Sequence, residues 1–357
     1  HAGGPARVLA AFPREQARFL RPALHAFPPE DLLALLARHG VQTEARPNGR
    51  VFPVGGPGSA HRVAGAFEAA LREAGVDIRL GARVCALEGA APRLESLRLE
   101  DGRRLGADRF ILATGGASYP RTGTRGEMPG LLKALGVKVA PWFPALAPIP
   151  LRAPRPAWEG VPLRGGELVL RSGREGKVLA RFQGDVLFTR EGISGPAALE
   201  LSQATEEARR EGAAWLTYAC APHGEARLEA ELLEAQRTNP HQGVRAWLGQ
   251  WLPDRLCDPS LAGLPEGQRL KDLPREGRRA LAALVGAFPL GEPGPVDLAK
   301  GEVAAGGVLL KEVDPRTMAL KGWENLRVCG ELLDVDGPVG GYNLQAAFST
   351  GFAAGSD

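Results

Sequence analysis

Near the C-terminus of this 357-residue chain lies the run Leu326-Arg-Val-Cys-Gly-Glu-Leu-Leu-Asp-Val-Asp-Gly-Pro-Val-Gly-Gly-Tyr-Asn-Leu-Gln-Ala-Ala-Phe348. No other segment constrains the fold as much. It predicts a short buried strand (Leu326 to Cys329), an acidic turn (Gly330, Glu331, Asp334, Asp336), a glycine pair (Gly340, Gly341) and a helix from about Asn343. A strand ending in Gly-Glu sets a carboxylate at its C-terminal edge, where open α/β sheets bind ligands. The glycines allow close approach of backbone to a ligand, and a helix start offers free N–H groups and a positive dipole end. The pattern suits a large polar ligand carrying hydroxyls and negative charge.

Length and charge set the frame. At 357 residues the chain exceeds usual single-domain size, so two domains are expected. Hydrophobic (44%) and charged (24%) contents are those of a globular protein. The net charge of +3 is small beside 44 basic and 41 acidic side chains, so neither nucleic acid nor a membrane surface is expected as a partner. Cys85, Cys220, Cys257 and Cys329 lie far apart without a CxxC pair. That argues against a disulfide scaffold or a zinc or other metal site and favours a reducing, cytoplasmic setting. The longest apolar runs, such as Ala280 to Leu290, are too short to span a membrane, and no signal peptide is visible.

Along the chain, residues 1 to 58 read as helical and loop-rich. Pro29-Glu30-Asp31 opens an apolar helix that Gly40 can end, and Ser59 is a plausible N-cap for a second. Strands are predicted at Val76 to Leu80, Arg83 to Leu87 and Leu94 to Leu99, with Asp101-Gly102 as a hairpin turn. A buried strand, Arg109 to Thr114, then ends in Gly115-Gly116. From about Pro148 proline becomes dense, and strand-like runs appear at Glu167 to Leu170 and Lys177 to Phe182. This marks a β-rich second domain that also carries helices at Gly243 to Leu252 and Arg275 to Ala287. Ser194 in Gly-Ile-Ser-Gly-Pro lacks nucleophile-elbow spacing and reads as a helix cap. Strand character returns at Glu302 to Leu310, where the chain re-enters the first domain.

Several of these segments together carry a resemblance. Gly49-Arg-Val-Phe-Pro53, Leu112-Ala-Thr-Gly-Gly-Ala-Ser-Tyr-Pro-Arg-Thr-Gly123, Pro144-Ala-Leu146, Phe188-Thr-Arg-Glu-Gly-Ile-Ser-Gly-Pro196, Ala304-Ala-Gly-Gly-Val308, Asp314-Pro-Arg-Thr-Met318 and Gly330 through Gln345 occur in one order over almost the whole chain. In this the chain resembles the BaiN/YhiN-like (aminoacetone oxidase-like) flavoproteins. The resemblance implies an α/β fold: a glutathione-reductase-type FAD/NAD(P)-binding Rossmann-like domain with a β-barrel-like plus helical insert. Residues 1–147 and 302–357 would form the FAD domain and 148–301 the insert. It also implies a strand, a GxGxxG turn, a helix and an acidic residue ahead of these segments. Gly3-Gly4-Pro5 has no strand before it, so the part that holds the pyrophosphate and adenosine ribose is expected to lie outside this sequence.

The implied roles fall on named positions. Glu331 would accept hydrogen bonds from ribityl hydroxyls, with Gly330 turning the chain and Asp334 nearby, although carboxylates beside a pyrophosphate repel it. Gly340, Gly341, Tyr342, Asn343 and Leu344 would bring N–H groups to the flavin's pyrimidine edge, where the helix dipole stabilises negative charge on the reduced ring. Thr114, Gly115 and Gly116 would pass the ADP moiety, and Val84 would present backbone to the adenine. Arg50 and Tyr119 would face the flavin or substrate. A tight turn alone accounts for the glycines, but not for the whole segment. No acid–base constellation is identifiable, so catalytic groups are unassigned.

The expectation is therefore an FAD-dependent oxidoreductase that moves a hydride to or from a small molecule, with NAD(P)H as a candidate electron donor. Two alternatives stay open at this point. One is a non-catalytic FAD-binding sensor or an RNA- or protein-interaction module, against which the near-neutral charge and only three Tyr argue. The other is a fragment that does not retain FAD. Substrate and oligomeric state are not legible.

Overall fold

The structure, a computed structural model, describes residues 1–56, 58–221 and 223–356. The chain divides into two compact units, His1–Phe143 with Val303–Asp357, and Pro144–Glu302.

In the first unit the strands Phe110–Leu112 and Leu326–Val328 pair in parallel, Phe110 opposite Leu326 and Leu112 opposite Val328. Alternation decides which side is buried. Phe110, Leu112, Leu326 and Val328 are buried, whereas Ile111 between them is 42% exposed. Beside this pair an antiparallel meander runs through Val84–Ala90, Arg93–Leu99 and Arg104–Gly106, with the predicted turn at Asp101-Gly102 between its last two strands. Buried Asn325 locks the meander to the start of the last parallel strand. Its Nδ2 donates to the Leu94 carbonyl (2.8 Å) and its Oδ1 accepts from the Leu94 N–H (2.9 Å).

The helix Tyr342–Gly355 buries a face of small and hydroxyl residues, Ala346, Ser349, Thr350, Ala353 and Ala354. Short side chains there let the Arg14–Ala26 helix and its C-terminal turn come close. Gln345 Nε2 and Ser349 Oγ both donate to the Phe27 carbonyl, and Phe27 stacks on Phe352 at 5.0 Å. Phe19, Leu20 and Leu24 supply the apolar face of Arg14–Ala26, each worth roughly 1.5–3 kcal/mol when buried.

The second unit holds two antiparallel four-stranded sheets. One has the order Val178–Gln183, Glu167–Arg171, Trp215–Ala219, Phe288–Gly291, and the other Ile149–Pro150, Gly192–Ser194, Val186–Phe188, Pro162–Leu163. Leu168, Leu170, Leu216, Tyr218 and Phe288 form a core with Ala197, Ala198 and Leu201 of the Pro196–Arg210 helix. That helix carries the buried carboxylate of Glu206, which accepts from Arg209 Nε (2.7 Å), Arg210 Nε (2.8 Å) and the Val296 N–H (3.1 Å). Burial alone would raise its pKa. The hydrogen bonds from Arg209 and Arg210, with the Val296 amide, prevail and hold it down to about 2.

Three sequence expectations change. Val76 to Leu80 takes no regular secondary structure and joins no ladder among the described residues, and Leu80 is 90% exposed. An apolar run with β-branched residues becomes a strand only where a partner satisfies its backbone. Ser194 is no helix cap. It pairs with Leu187 in the small sheet, and Gly195 (φ 92°) takes the N-cap position without a side-chain bond. Ser59 is already helical, with Gly58 (φ 85°) as N-cap.

Candidate functional site

Because the two strands of the parallel pair run the same way, their C-terminal ends open at one edge. Thr114 to Gly116 follow one strand and Gly330-Glu331 the other. Glu331 joins the two. Its Oε2 accepts from the Gly116 N–H at 2.9 Å, and its Oε1 accepts from the Ala304 N–H at 2.9 Å. Ala304 belongs to the Val303–Val308 strand, so one carboxylate ties three segments together. A Cβ at Gly116 would stand 2.7 Å from Glu331 Cδ, which is why this position needs glycine. Gly330 (φ 70°) turns the chain and donates its N–H to Thr350 Oγ1 at 3.0 Å. Each carboxylate oxygen has a further lone pair, so the clamp leaves acceptor capacity unused by its two amides.

Asp334 is half-buried, and its backbone N–H donates to the Val308 carbonyl at 2.9 Å. Burial pushes its carboxyl above the ordinary carboxylate range, and the nearby Asp336 adds to the rise. A hydrogen bond from the Gly306 N–H opposes both, and Glu15 contributes upward. Asp336 in turn accepts from Gln16 Nε2 at 3.0 Å.

The loop into the last helix is fixed by Asn343. Its Oδ1 accepts from the Gly337 N–H (2.7 Å) and its Nδ2 donates to the Gly337 carbonyl (2.8 Å). The helix therefore starts without a side-chain cap, on Gly341 at φ 85°. The first helical amide to bond back is Gln345 N, to the Gly341 carbonyl. The amides of Tyr342, Asn343 and Leu344 precede it in the first turn, where helical N–H groups have no intrahelical acceptor. Gly341 and Leu344 are exposed there. Arg50 reaches the same loop, with Nη2 donating to the Val339 carbonyl at 3.3 Å, and the Tyr342 ring meets Phe12 edge-on.

The structure thus gathers Gly115, Gly116, Gly330 and Glu331 at one edge, and Arg50 with Gly340, Gly341 and Tyr342 at one loop. Val84 stands apart, paired with Leu99 in the antiparallel meander and packed against the unit's core. Thr114 is exposed, and Tyr119 is exposed with left-handed backbone (φ 50°). Sequence reasoning missed Ala304, Thr350, Gly306 and Gln16 as partners of the acidic turn. Ala304 and Gly306 act through backbone amides, which leave no side-chain signal. Chemically, the edge offers a fixed carboxylate with spare lone pairs, and the loop offers the exposed backbone of Gly341 and the first-turn helix amides, beside which the His1 ring stacks on Tyr342 at 4.7 Å. That donor and acceptor set fits the hydroxyls and the electron-accepting ring of a flavin nucleotide.

Comparison with known proteins agrees with this chemistry. The HI0933-like protein Rossmann domain matches residues 1–357. The chain is 27% identical over 352 residues to the ribosomal RNA dihydrouridine synthase of Escherichia coli (strain K12), spanning 97% of this chain and 83% of that protein. It is 29% identical over 364 residues to the 3-dehydro-bile acid delta(4,6)-reductase of Clostridium scindens, spanning 96% and 83%. A ribosomal RNA dihydrouridine synthase of Haemophilus influenzae is 25% identical over 358 residues, spanning 98% and 83%. Among solved structures, a quinol-fumarate reductase with menaquinol molecules overlaps at a TM-score of 0.43 and 14% identity, covering 95% of this chain but only 58% of that one. That overlap is too loose to bear on function.

One expectation is overturned. Net charge excluded a nucleic-acid partner, yet two similar proteins carry names that act on RNA. A sum over the whole chain says nothing about how charges cluster on its surface. No helix among the described residues is long and apolar enough to cross a membrane.

Proposed function

We propose that this chain, which belongs to the HI0933-like Rossmann family and is a flavin-dependent oxidoreductase with FAD as its cofactor, reduces the ring double bond of uridine in RNA. The names of its relatives describe one kind of chemistry, hydrogen added across a ring double bond. Dihydrouridine is uridine with two added hydrogens, and a delta(4,6)-reductase acts on a conjugated diene. Such a bond, conjugated to a carbonyl, accepts a hydride at its far carbon (C6 of uracil) and a proton at the near one (C5). Bound FAD supplies the hydride chemistry, with NAD(P)H as the proposed source of its electrons.

For the flavin, the supporting observations are the uncapped start of the Tyr342–Gly355 helix and the Glu331 clamp; for the ring double bond, the support is the chemistry that the relatives' names describe. The amides of Tyr342, Asn343 and Leu344, with Gly340 and Gly341 leading into them, would hold the pyrimidine edge of the flavin. The positive helix end there favours negative charge. Glu331 would accept ribityl hydroxyls through its remaining lone pairs while its amide bonds keep it in place. Gly115 and Gly116 would let the ADP portion pass close to backbone, with Thr114 at the exposed rim and Val84 toward the adenine. Arg50, held on the Val339 carbonyl, and Tyr119 would stand on the substrate side. Asp334, whose carboxyl pKa is raised by burial and by the nearby Asp336, would stand in the acidic turn close to the cofactor.

The test is to incubate the FAD-loaded protein with NADPH or NADH and a ribosomal RNA transcript, then digest to nucleosides and analyse by mass. Dihydrouridine formed only when both FAD and a reduced nicotinamide are present supports the reading. Nicotinamide oxidation with unchanged uridine refutes it.

A further inference from the structure

The same unit carries a basic groove that the chemistry above does not use. On the Arg14–Ala26 helix, Arg14, Arg18 and Arg21 are exposed at i, i+4 and i+7, along one side of the helix and over about 10 Å of its axis. Next to them is a groove of about 310 Å³ with Arg18, Lys311 and Lys321 on its walls and Phe19 and Val313 among its lining. Glu15 is the acidic side chain of that lining. Arg316 lies just beyond, exposed on a turn that Asp314 fixes by accepting the N–H groups of Arg316 (2.8 Å) and Thr317 (3.1 Å).

These cations combine close grouping around one groove with the absence of a carboxylate ion-pair partner among the described residues. Elsewhere on the surface Arg83 pairs with Glu127, Arg98 and Arg104 with Glu88, and Arg245 with Asp254 and Asp258. Among the described residues, Arg14, Arg18, Arg21, Lys311, Arg316 and Lys321 have no ion pair with a carboxylate. Lys321 Nζ instead donates to the Lys311 carbonyl at 2.8 Å. Clustered cations raise the local positive potential and so favour the approach of an external anion. The groove also adjoins the acidic turn, because Gln16, one residue on from Glu15, donates to Asp336.

We infer that this groove binds the phosphate backbone of a single RNA strand and so presents a uridine to the flavin edge, an inference that rests on the reading of the protein as an RNA uridine reductase. A single strand is the fitting form. A reductase must reach the ring double bond of the base, and enzymes that do chemistry on a base take it unstacked. Contacts to phosphate position the strand without reading its sequence. Binding is then salt-dependent, with a slope of about −0.7 per phosphate neutralised on a single strand.

The experiment measures binding of fluorescein-labelled oligouridine to the FAD-loaded protein by anisotropy, from 50 to 200 mM salt. The proteins compared are wild type, the triple variant Arg18→Ala/Arg21→Ala/Lys311→Ala, and a control, Arg227→Ala/Arg237→Ala/Arg279→Ala, that removes equal charge from the other unit. Loss of three phosphate contacts lowers the salt slope by about 2, so the groove variant loses roughly 20-fold less affinity than wild type over that range, having started weaker. The control keeps the wild-type slope. An unchanged slope in the groove variant overturns the inference, as does wild type that fails to bind RNA. Binding of phosphatidylserine vesicles but not RNA through these side chains overturns it too. Dihydrouridine yield, scored on the same proteins, reports separately on the reductase reading: product formed at an unchanged slope sinks the groove alone.

Discussion

Glu331→Gln is the sharpest perturbation of the site. In the wild type two backbone amides, Gly116 N and Ala304 N, each give one hydrogen bond to a carboxylate oxygen at 2.9 Å. Gly116 is buried and Ala304 is fully buried, so neither amide has water as a replacement. Glutamine keeps the shape but has one acceptor oxygen, and its NH₂ group must face the second amide as donor against donor. One buried N–H is left unsatisfied, at a cost of about 1–3 kcal/mol. Glu331→Ala orphans both amides and costs roughly twice that. For a domain of this size 1 kcal/mol moves Tm by about 2–4 °C, so a central cost of about 2 kcal/mol lowers the Tm of the first unit by about 4–8 °C for Gln, and further for Ala. Circular dichroism melts of the protein, with and without FAD, read this directly. If Glu331 also accepts ribityl hydroxyls, the stabilisation that added FAD gives the wild type shrinks in both variants. Wild-type melting in both variants would refute the clamp.

Three other outcomes follow from the same geometry. Gly116→Ala forces a methyl to within 2.7 Å of Glu331 Cδ, so melts should show about 1–3 kcal/mol lost, and full stability would mean the carboxylate has room to move. Asp334 has a raised carboxyl pKa, so its charge costs stability at neutral pH and nothing where it is protonated in both states. Asp334→Asn should raise Tm at pH 7, with the gain fading as pH falls through the ordinary carboxylate range; a gain that persists in acid contradicts the assigned cause. Glu206 has the opposite sign. With its pKa held at about 2 against an unfolded value near 4.5, it contributes about 3 kcal/mol, present above the unfolded pKa and lost as pH falls toward 2. Glu206→Gln should flatten that part of the second unit's stability against pH, and an unchanged acid limb in urea titrations would remove Glu206 from the account.

The strand–turn–helix at Leu326 to Phe348 was legible because each part carries its own local signal: an apolar run, glycines where φ turns positive, then a helical pattern. The short strand before Gly115-Gly116 was legible for the same reason, and so was the parallel Rossmann-type class. What Glu331 does was not legible. Its partners lie 27 and 215 residues away and act through backbone N–H groups, which every residue but proline has. Val76 to Leu80 misled because a strand is a property of a pair, not of a segment. Ser194 misled because its ladder partner Leu187 outweighed a local preference for capping. A nucleic-acid partner was not expected on net charge, although Arg14, Arg18 and Arg21 already stood at helical spacing in the sequence. Only folding brings Lys311 and Lys321 to Arg18.

An anaerobic single turnover links flavin oxidation to uridine reduction in one measurement. The FAD-loaded protein is reduced, mixed with uridine-containing RNA, and followed at the flavin absorbance maximum while nucleosides are sampled. Flavin absorbance should return at the rate at which dihydrouridine appears, one for one, and RNA lacking uridine should leave the flavin reduced. Reduced flavin that persists in the presence of RNA, with no dihydrouridine formed, would contradict the uridine reductase reading.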